Sequence, residues 1–251
     1  MKASISHLES LLRSKKLGHS LASSRPLPLE RLAATGVSEL DESLGGGLAR
    51  GHLSEIVGPR SSGRTSVLIA ALAAATNRGE VVALVDTFDN FDPVSSQAAG
   101  VDLTRLLWIR GRQSTPRMIA HGIDQAVKAA GLVLQTERFG IVAIDLAEAP
   151  VMAIRRLPFT TWLRLARAIE GSETVGIVLG PTAMGRSAVG RSVVFGTPRS
   201  MTWSGRGPRS RLFQGMDVDA RVESTRHPLR LVRLTARYGY VWDDRRPTTD
   251  D

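Results

Sequence analysis

The sequence predicts an α/β fold: a mostly parallel sheet flanked by helices, with antiparallel strands at its C-terminal edge. Three observations predict it. Short apolar runs alternate with helix-length stretches from about residue 53 to residue 180. Several of these runs are apolar throughout, as strands covered on both faces are. Beyond residue 190 the pattern shifts to shorter segments in which apolar and polar residues alternate.

Element by element, Ile5, Leu8, Leu11 and Leu12 stand at helical spacing, and Ser6 with Glu9 resembles a capping box. An amphipathic N-terminal helix is therefore expected within residues 1–18. The Ser- and Pro-rich "GHSLASSRPLPLE" predicts a linker over 19–34. A core domain is expected over 35–242. Near its start Ser38 is placed to cap a short helix carrying Leu40 and Leu44, stopped by Gly45, Gly46 and Gly47. Strands follow at 53–58, 81–86, 106–111, 140–146 and 174–180, and helices at 64–77, 93–99, 116–134 and 157–170. The segments "MDVDARVES" and "LRLVRLTARYGYVW" read as antiparallel edge strands, and 243–251 as a disordered tail.

Composition narrows the functional classes. The 251 residues suffice for one sizeable α/β core, and 42% hydrophobic with 23% charged residues fits a globular protein. With no cysteine, disulfides and cysteine-ligated metal centres are excluded. No apolar run reaches the roughly 20 residues of a membrane span, and the N-terminus does not read as a signal peptide, so a cytoplasmic location is expected. A net charge of +9, from 33 basic against 24 acidic residues, points to a polyanionic partner.

The densest chemical signal is "GPRSSGRT" at 58–65, which has the spacing G-x-x-x-x-G-K-[ST] with arginine in place of lysine. In such a loop the glycines let backbone N–H groups turn inward around phosphates, and the next helix presents its N-terminus to the anion. Lysine then reaches the terminal phosphates and the Ser/Thr hydroxyl holds magnesium. Gly58, Pro59, Arg60, Ser61, Ser62, Gly63, Arg64 and Thr65 are thus candidate nucleotide-binding residues. Thr65 retains the metal-side hydroxyl. Arg64 keeps the charge but not the shape, because a guanidinium is planar, forked and bulkier than an ammonium. Phosphate binding by backbone amides can survive that change better than transition-state stabilisation. A ligand-free Gly/Ser turn between strand and helix is the plainer alternative.

With its flanks, this loop resembles the RecA family. "TGVSELDESLGGGLARGHLSEIVGPRSSGRTSVLIAALAAA" is similar to the start of the RecA core, and "VVALVDTFDNFDPVSSQAAGVDLTRLLWIRG" to the segment that follows it. "IVAIDL" resembles that family's Walker B strand. The resemblance implies a RecA-like P-loop ATPase core, ATP and magnesium as ligands, and Asp145 beside Thr65 at the metal. It also exposes departures. At the position of the glutamate that activates the attacking water stands Phe88, whose ring accepts no proton. The adenine-packing aromatic is Ser95, and the glutamine that senses the γ-phosphate is replaced within "GPTAMG". Each lost catalytic group removes a factor of ~10²–10⁴ in rate, so hydrolysis is not expected and no catalytic residue is assigned. Asp89, Asp92 and Glu55 are conceivable substitute bases.

The positive charge concentrates late in the chain. No acidic residue lies between Glu173 and Asp217, an interval holding Arg186, Arg191, Arg199, Arg206, Arg209 and Arg211 with Phe195, Trp203 and Phe213. Arginines for phosphates and aromatic faces for bases suit single-stranded DNA. The six arginines and Trp203 are therefore candidate DNA-binding residues, and Arg155 and Arg156 weaker ones. A hairpin with solvated arginines and with Trp203 and Phe213 in the core reads equally from the residues.

Among RecA relatives, short ones lacking the C-terminal domain and with decayed ATP sites look like the ImuA type. That resemblance implies an accessory role in SOS-induced DNA repair and mutagenic translesion synthesis. The partners it implies are an ImuB-like Y-family protein, an error-prone polymerase or RecA itself, with homo-oligomers formed through residues 5–16. An active DNA-dependent ATPase, and a DNA-binding module with a vestigial nucleotide site, remain as alternatives.

Overall fold

A computed structural model describes residues 31–111, 118–136, 138–184, 190–205, 207, 211–223 and 229–237. The expected N-terminal helix, most of the expected linker and the expected tail lie outside them. At the entry to the core, β1 (Leu32–Ala33) pairs antiparallel with β2 (Leu48–Ala49), so the last residues of the expected linker already belong to a small two-stranded sheet. Between them runs α1 (Ser38–Leu44).

Ser38 does not cap α1: the N-cap is Val37, with no side-chain cap. Asp41 does the ordering instead, accepting hydrogen bonds from Thr35 N, Thr35 Oγ1 and Gly36 N at 2.8, 2.8 and 3.2 Å. Burial is the main influence on this carboxyl and holds its pKa above the usual value, against those hydrogen bonds. The C-terminal stop is as expected, with Gly45 left-handed at φ 78°.

The main sheet has eight strands: β3 (His52–Val57), β4 (Val82–Asp86), β5 (Leu106–Arg110), β6 (Ile141–Asp145), β7 (Val175–Gly180), β8 (Arg191–Ser204), β9 (Leu212–Glu223) and β10 (Arg230–Arg237). Their order is β10-β9-β8-β3-β7-β6-β4-β5. All pairings from β8 to β5 are parallel, while β8–β9 and β9–β10 are antiparallel. The parallel part demands crossover connections, which helices supply on both faces.

One face carries α1 and α2 (Arg64–Asn77), packed on Ile56, Leu84, Ala143, Ile177 and Val193. Helix α2 is rich in alanine, and its buried Ala70, Ala71 and Ala75 let the backbone lie close to the sheet. The other face carries α4 (Ile119–Leu134), α5 (Val151–Arg155) and α6 (Phe159–Ile169), against Leu53, Val57, Val85, Val142 and Ile144. In α6 the buried Trp162, Leu165 and Ile169 recur at helical spacing, with Arg164 and Arg167 turned to solvent. The short α3 (Pro93–Ala98) follows β4.

Strand β8 pairs with β3 only through Arg191–Val194 and then runs on past the end of β3. Its remaining length pairs with β9 alone, with register shifts at Phe195/Pro198, Pro198/Ser200 and Thr202/Trp203. An arm built on β8 and β9, with β10 alongside β9 as far as Gly215, therefore projects beyond the edge where β3, β4, β6 and β7 end. In open parallel sheets that carboxyl edge is where ligand sites form.

Candidate functional site

Four strand ends meet at this edge. Asp86 of β4 and Asp145 of β6 are register partners, Asp145 faces Leu179 of β7, and Val57 of β3 faces Gly180. The loop 58–63 leaves β3 and turns into α2 through two left-handed residues, Ser61 (φ 58°) and Gly63 (φ 88°). Gly63 is the N-cap and no side chain caps α2, so its first amides face the loop. Gly58 is required by close packing: a Cβ there would meet Phe195 Cβ at 2.6 Å and Ser62 Oγ at 2.9 Å.

Arg64 does not reach outward. It is 4% exposed, and Nη1 donates to the carbonyls of Gly58 and, at 3.3 Å, Gly180. Nη2 donates to Ala147 O at 2.8 Å and approaches Glu148 Oε1 at 3.5 Å. The guanidinium thus ties the end of β3, the end of β7 and the turn after β6. Three carbonyls converging on one fork suit arginine, whose planar donors reach several acceptors at once. Desolvation lowers its pKa, partly countered by Glu148 and Asp145.

Glu148, which sequence reasoning did not single out, also forms an ion pair with the exposed Arg60. It lines both cavities of this edge. No local pattern announces it, since its partners lie more than eighty residues away in the loop.

The acidic residues are otherwise engaged. Asp86, 1% exposed, accepts from Asn90 N, Phe91 N and Trp108 Nε1 at 3.0, 2.9 and 3.2 Å, stapling the turn after β4. Asp145 accepts from Ala147 N at 2.7 Å; burial, with Asp86 and Glu148 adding to it, raises its carboxyl to about 6. Of the conceivable substitute bases, Asp89 pairs with Arg110 at 2.8 Å, and Asp92 caps α3 while accepting from Ser95 Oγ. Glu55 is 1% exposed and accepts from Met184 N at 3.0 Å and Ser192 Oγ at 2.5 Å. Phe88 packs on the α4/α6 face, away from α2. Ser95 stays at the rim of a 340 Å³ cavity with Thr65, Phe91, Asp92, Asp145 and Glu148.

A larger cavity of 620 Å³ lies on the other side of the loop, between residues 60–66 and the arm. The arm contributes Met201, Trp203, Phe213 and Met216. Trp203 and Phe213 meet edge to face at 5.4 Å and are 48% and 36% exposed, so the reading that placed them in the core is overturned. Among the described residues, strand pairing and their mutual ring contact hold them within the arm. Of the six arginines in the basic interval, Arg186, Arg206 and Arg209 lie outside the described residues. Arg199 pairs with Asp219 at 3.1 Å, Arg191 is half-buried, with its pKa lowered by desolvation, and Arg211 is exposed. Arg155 and Arg156 are exposed around the end of α5.

Residues 14–152 match the family model of the RecA N-terminal domain. The chain belongs to the RecA family. It is similar to the RecA protein of Synechococcus elongatus, 36% identical over 118 residues that cover 47% of this chain and 31% of that protein. It is 49% identical to Synechocystis sp. RecA over 74 residues, covering 30% of this chain and 21% of that protein. With Symbiobacterium thermophilum RecA the identity is 36% over 176 residues, covering 66% of this chain and 48% of that protein. The chain spans at most about half the length of these RecA relatives. The matched RecA segment includes the loop, Asp86 and Asp145, and the eight-stranded sheet with its antiparallel edge is that of a RecA-like core. The arm with Trp203 and Phe213 lies beyond the segment matched to the family model.

Among the described residues, no helix is long and apolar enough to cross a membrane, and no group of three or more His, Asp or Glu is placed to hold a metal. Thr65 and Asp145 border one cavity and form a set of one hydroxyl and one carboxylate. That set fits magnesium only together with phosphate oxygens, which is how magnesium commonly binds.

Proposed function

We propose that this chain is a RecA-fold accessory protein of the ImuA type, serving damage-induced DNA repair and mutagenic translesion synthesis. It binds a nucleoside triphosphate with magnesium and does not hydrolyse it. The observation that supports the second statement is Arg64: the only cation in the lysine position of the loop is spent on three backbone carbonyls. Phe88 packed into the opposite face, and Asp86 occupied by three donors, support it further.

The triphosphate would lie on the loop residues Gly58 to Thr65, with the metal between Thr65 and Asp145. Single-stranded DNA would run along the arm through Arg191, Arg199 and Arg211, and Arg186, Arg206 and Arg209 belong to the same basic interval of the sequence. The accessory role implies contacts with an ImuB-like Y-family protein, an error-prone polymerase or RecA, and self-association through residues 5–16. The division into an N-terminal helix, linker, core and tail belongs to the same proposal.

Phosphate release with and without single-stranded DNA, alongside thermal stabilisation by ATP and magnesium, tests this reading. Stabilisation without turnover is the expected result. DNA-stimulated turnover that is abolished by Thr65→Ala or Asp145→Ala would replace it with an active DNA-dependent ATPase. Neither stabilisation nor turnover would leave a DNA-binding module with a vestigial site.

A further inference from the structure

The 620 Å³ cavity joins two surfaces of opposite chemistry. On one side stands the uncapped start of α2 with the left-handed Ser61 and Gly63. Ser62 belongs to that side; it is 1% exposed, and its Oγ has no hydrogen-bond partner among the described residues. A buried hydroxyl without a partner is unfavourable, and a phosphate oxygen in the loop would offset that cost.

On the other side stand Trp203, Phe213, Met201 and Met216, a set of apolar side chains on one arm. Trp203 and Met201 are nearly half exposed. Leaving an indole and a thioether in water beside an anion cradle is unfavourable unless a flat apolar group covers them. The cavity has the size of sites that hold small ligands, about 300–1,000 Å³.

On the far side of the loop the case for a base is weaker. There the smaller cavity offers Ser95, whose hydroxyl is already committed to Asp92, and Phe91, which is held edge to face on Trp108 at 5.2 Å. The platform expected near Ser95 has therefore been lost, and the exposed aromatic surface has appeared across the loop.

We propose that the arm is the base platform of the nucleotide site: the base stacks on Trp203, flanked by Phe213, Met201 and Met216, while the phosphates rest on residues 61–65. The inference rests on the nucleotide-binding part of the proposed function and assigns to Trp203 a mononucleotide in place of a DNA strand. Stacking on an indole is tolerant of base identity, because every base has a π-face. Purine and pyrimidine triphosphates should therefore bind within a few-fold of one another.

The test compares ATP with inorganic tripolyphosphate, which carries the anion but no base, by calorimetric titration of the full chain. Trp203→Ala should weaken ATP by about ten-fold and leave tripolyphosphate unchanged. Trp203→Phe should restore most of the ATP affinity, and Phe91→Ala should change neither ligand. The inference is overturned if Trp203→Ala binds ATP as the parent does, or if Phe91→Ala takes the loss instead; in both cases nucleotide binding itself stands. It is also overturned if Trp203→Ala weakens only a single-stranded oligonucleotide. Absence of ATP binding by the parent chain overturns both the inference and the nucleotide-binding part of the proposed function.

Discussion

Replacing Arg64 by methionine separates a structural guanidinium from one reserved for a ligand. Methionine keeps much of the stem but removes every donor. Three buried carbonyls, those of Gly58, Gly180 and Ala147, then lose a charged partner. Hydrogen bonds to charged groups contribute roughly 1.5–3 kcal/mol each, and an unsatisfied buried acceptor costs about 1–3 kcal/mol. Gly180 O keeps a second donor, Gly58 N at 3.2 Å, so that penalty falls on Gly58 O and Ala147 O. Against this, the desolvation that depresses the Arg64 pKa is relieved. The balance is a loss of about 3 kcal/mol, roughly a hundred-fold in the folded-to-unfolded ratio.

Equilibrium urea denaturation without nucleotide, near neutral pH, measures it. Arg64→Lys should fall between parent and Arg64→Met, since an ammonium keeps the charge but cannot span three diverging carbonyls. The control is Arg60→Met. Arg60 is 80% exposed in its side chain and pairs with Glu148 at the surface, so its loss should cost less than ~1 kcal/mol. If Arg64→Met is as stable as the parent, or more so, the guanidinium is not a strut. It would then be a cation held in strain for a ligand, and the account of lost hydrolysis would have to be abandoned.

Two further outcomes are expected. The carboxyl of Asp145 titrates at about 6 in the folded chain and near 3.9 in an unfolded one, so the native state holds the extra proton between those values. Its ionisation therefore lowers stability as pH rises through about 6, and Asp145→Asn should be more stable than the parent above that pH by up to about 3 kcal/mol. That advantage should vanish near pH ~4, and an advantage that is flat across this range would contradict the burial of the charge. Gly58→Ala should cost about 1–3 kcal/mol, because its methyl would strike Phe195 Cβ and Ser62 Oγ; an unchanged denaturation midpoint would show that the loop and arm are not in contact.

Most elements of the sheet were legible because their signals are local. Apolar runs such as Ile141–Ile144 sit between helical patterns, and the observed bounds fall within one or two residues of expectation for most of them. What was not legible depends on partners distant in sequence. Ser38 has the right type to cap α1 but is already its first helical residue, and Asp41 instead orders the entry by accepting from the Thr35–Gly36 backbone. The five-residue α5 is too short to show a period. The loop's spacing was plain, yet the inward turn of Arg64 is set by carbonyls after β3, β6 and β7. Trp203 and Phe213 read either as base-stacking aromatics for DNA or as core; only the pairing of β8 with β9, past the end of β3, puts them beside the loop.

That overhang links two motions. Beyond Val194 the arm has a neighbour only on its β9 side, which makes it the more compliant part of the sheet. Its root, Phe195, sits hard against Gly58, the first residue of the loop between β3 and α2. A load applied at the tip therefore reaches the loop through the Cβ and backbone of Phe195, so the position of the loop and that of the tip are mechanically coupled.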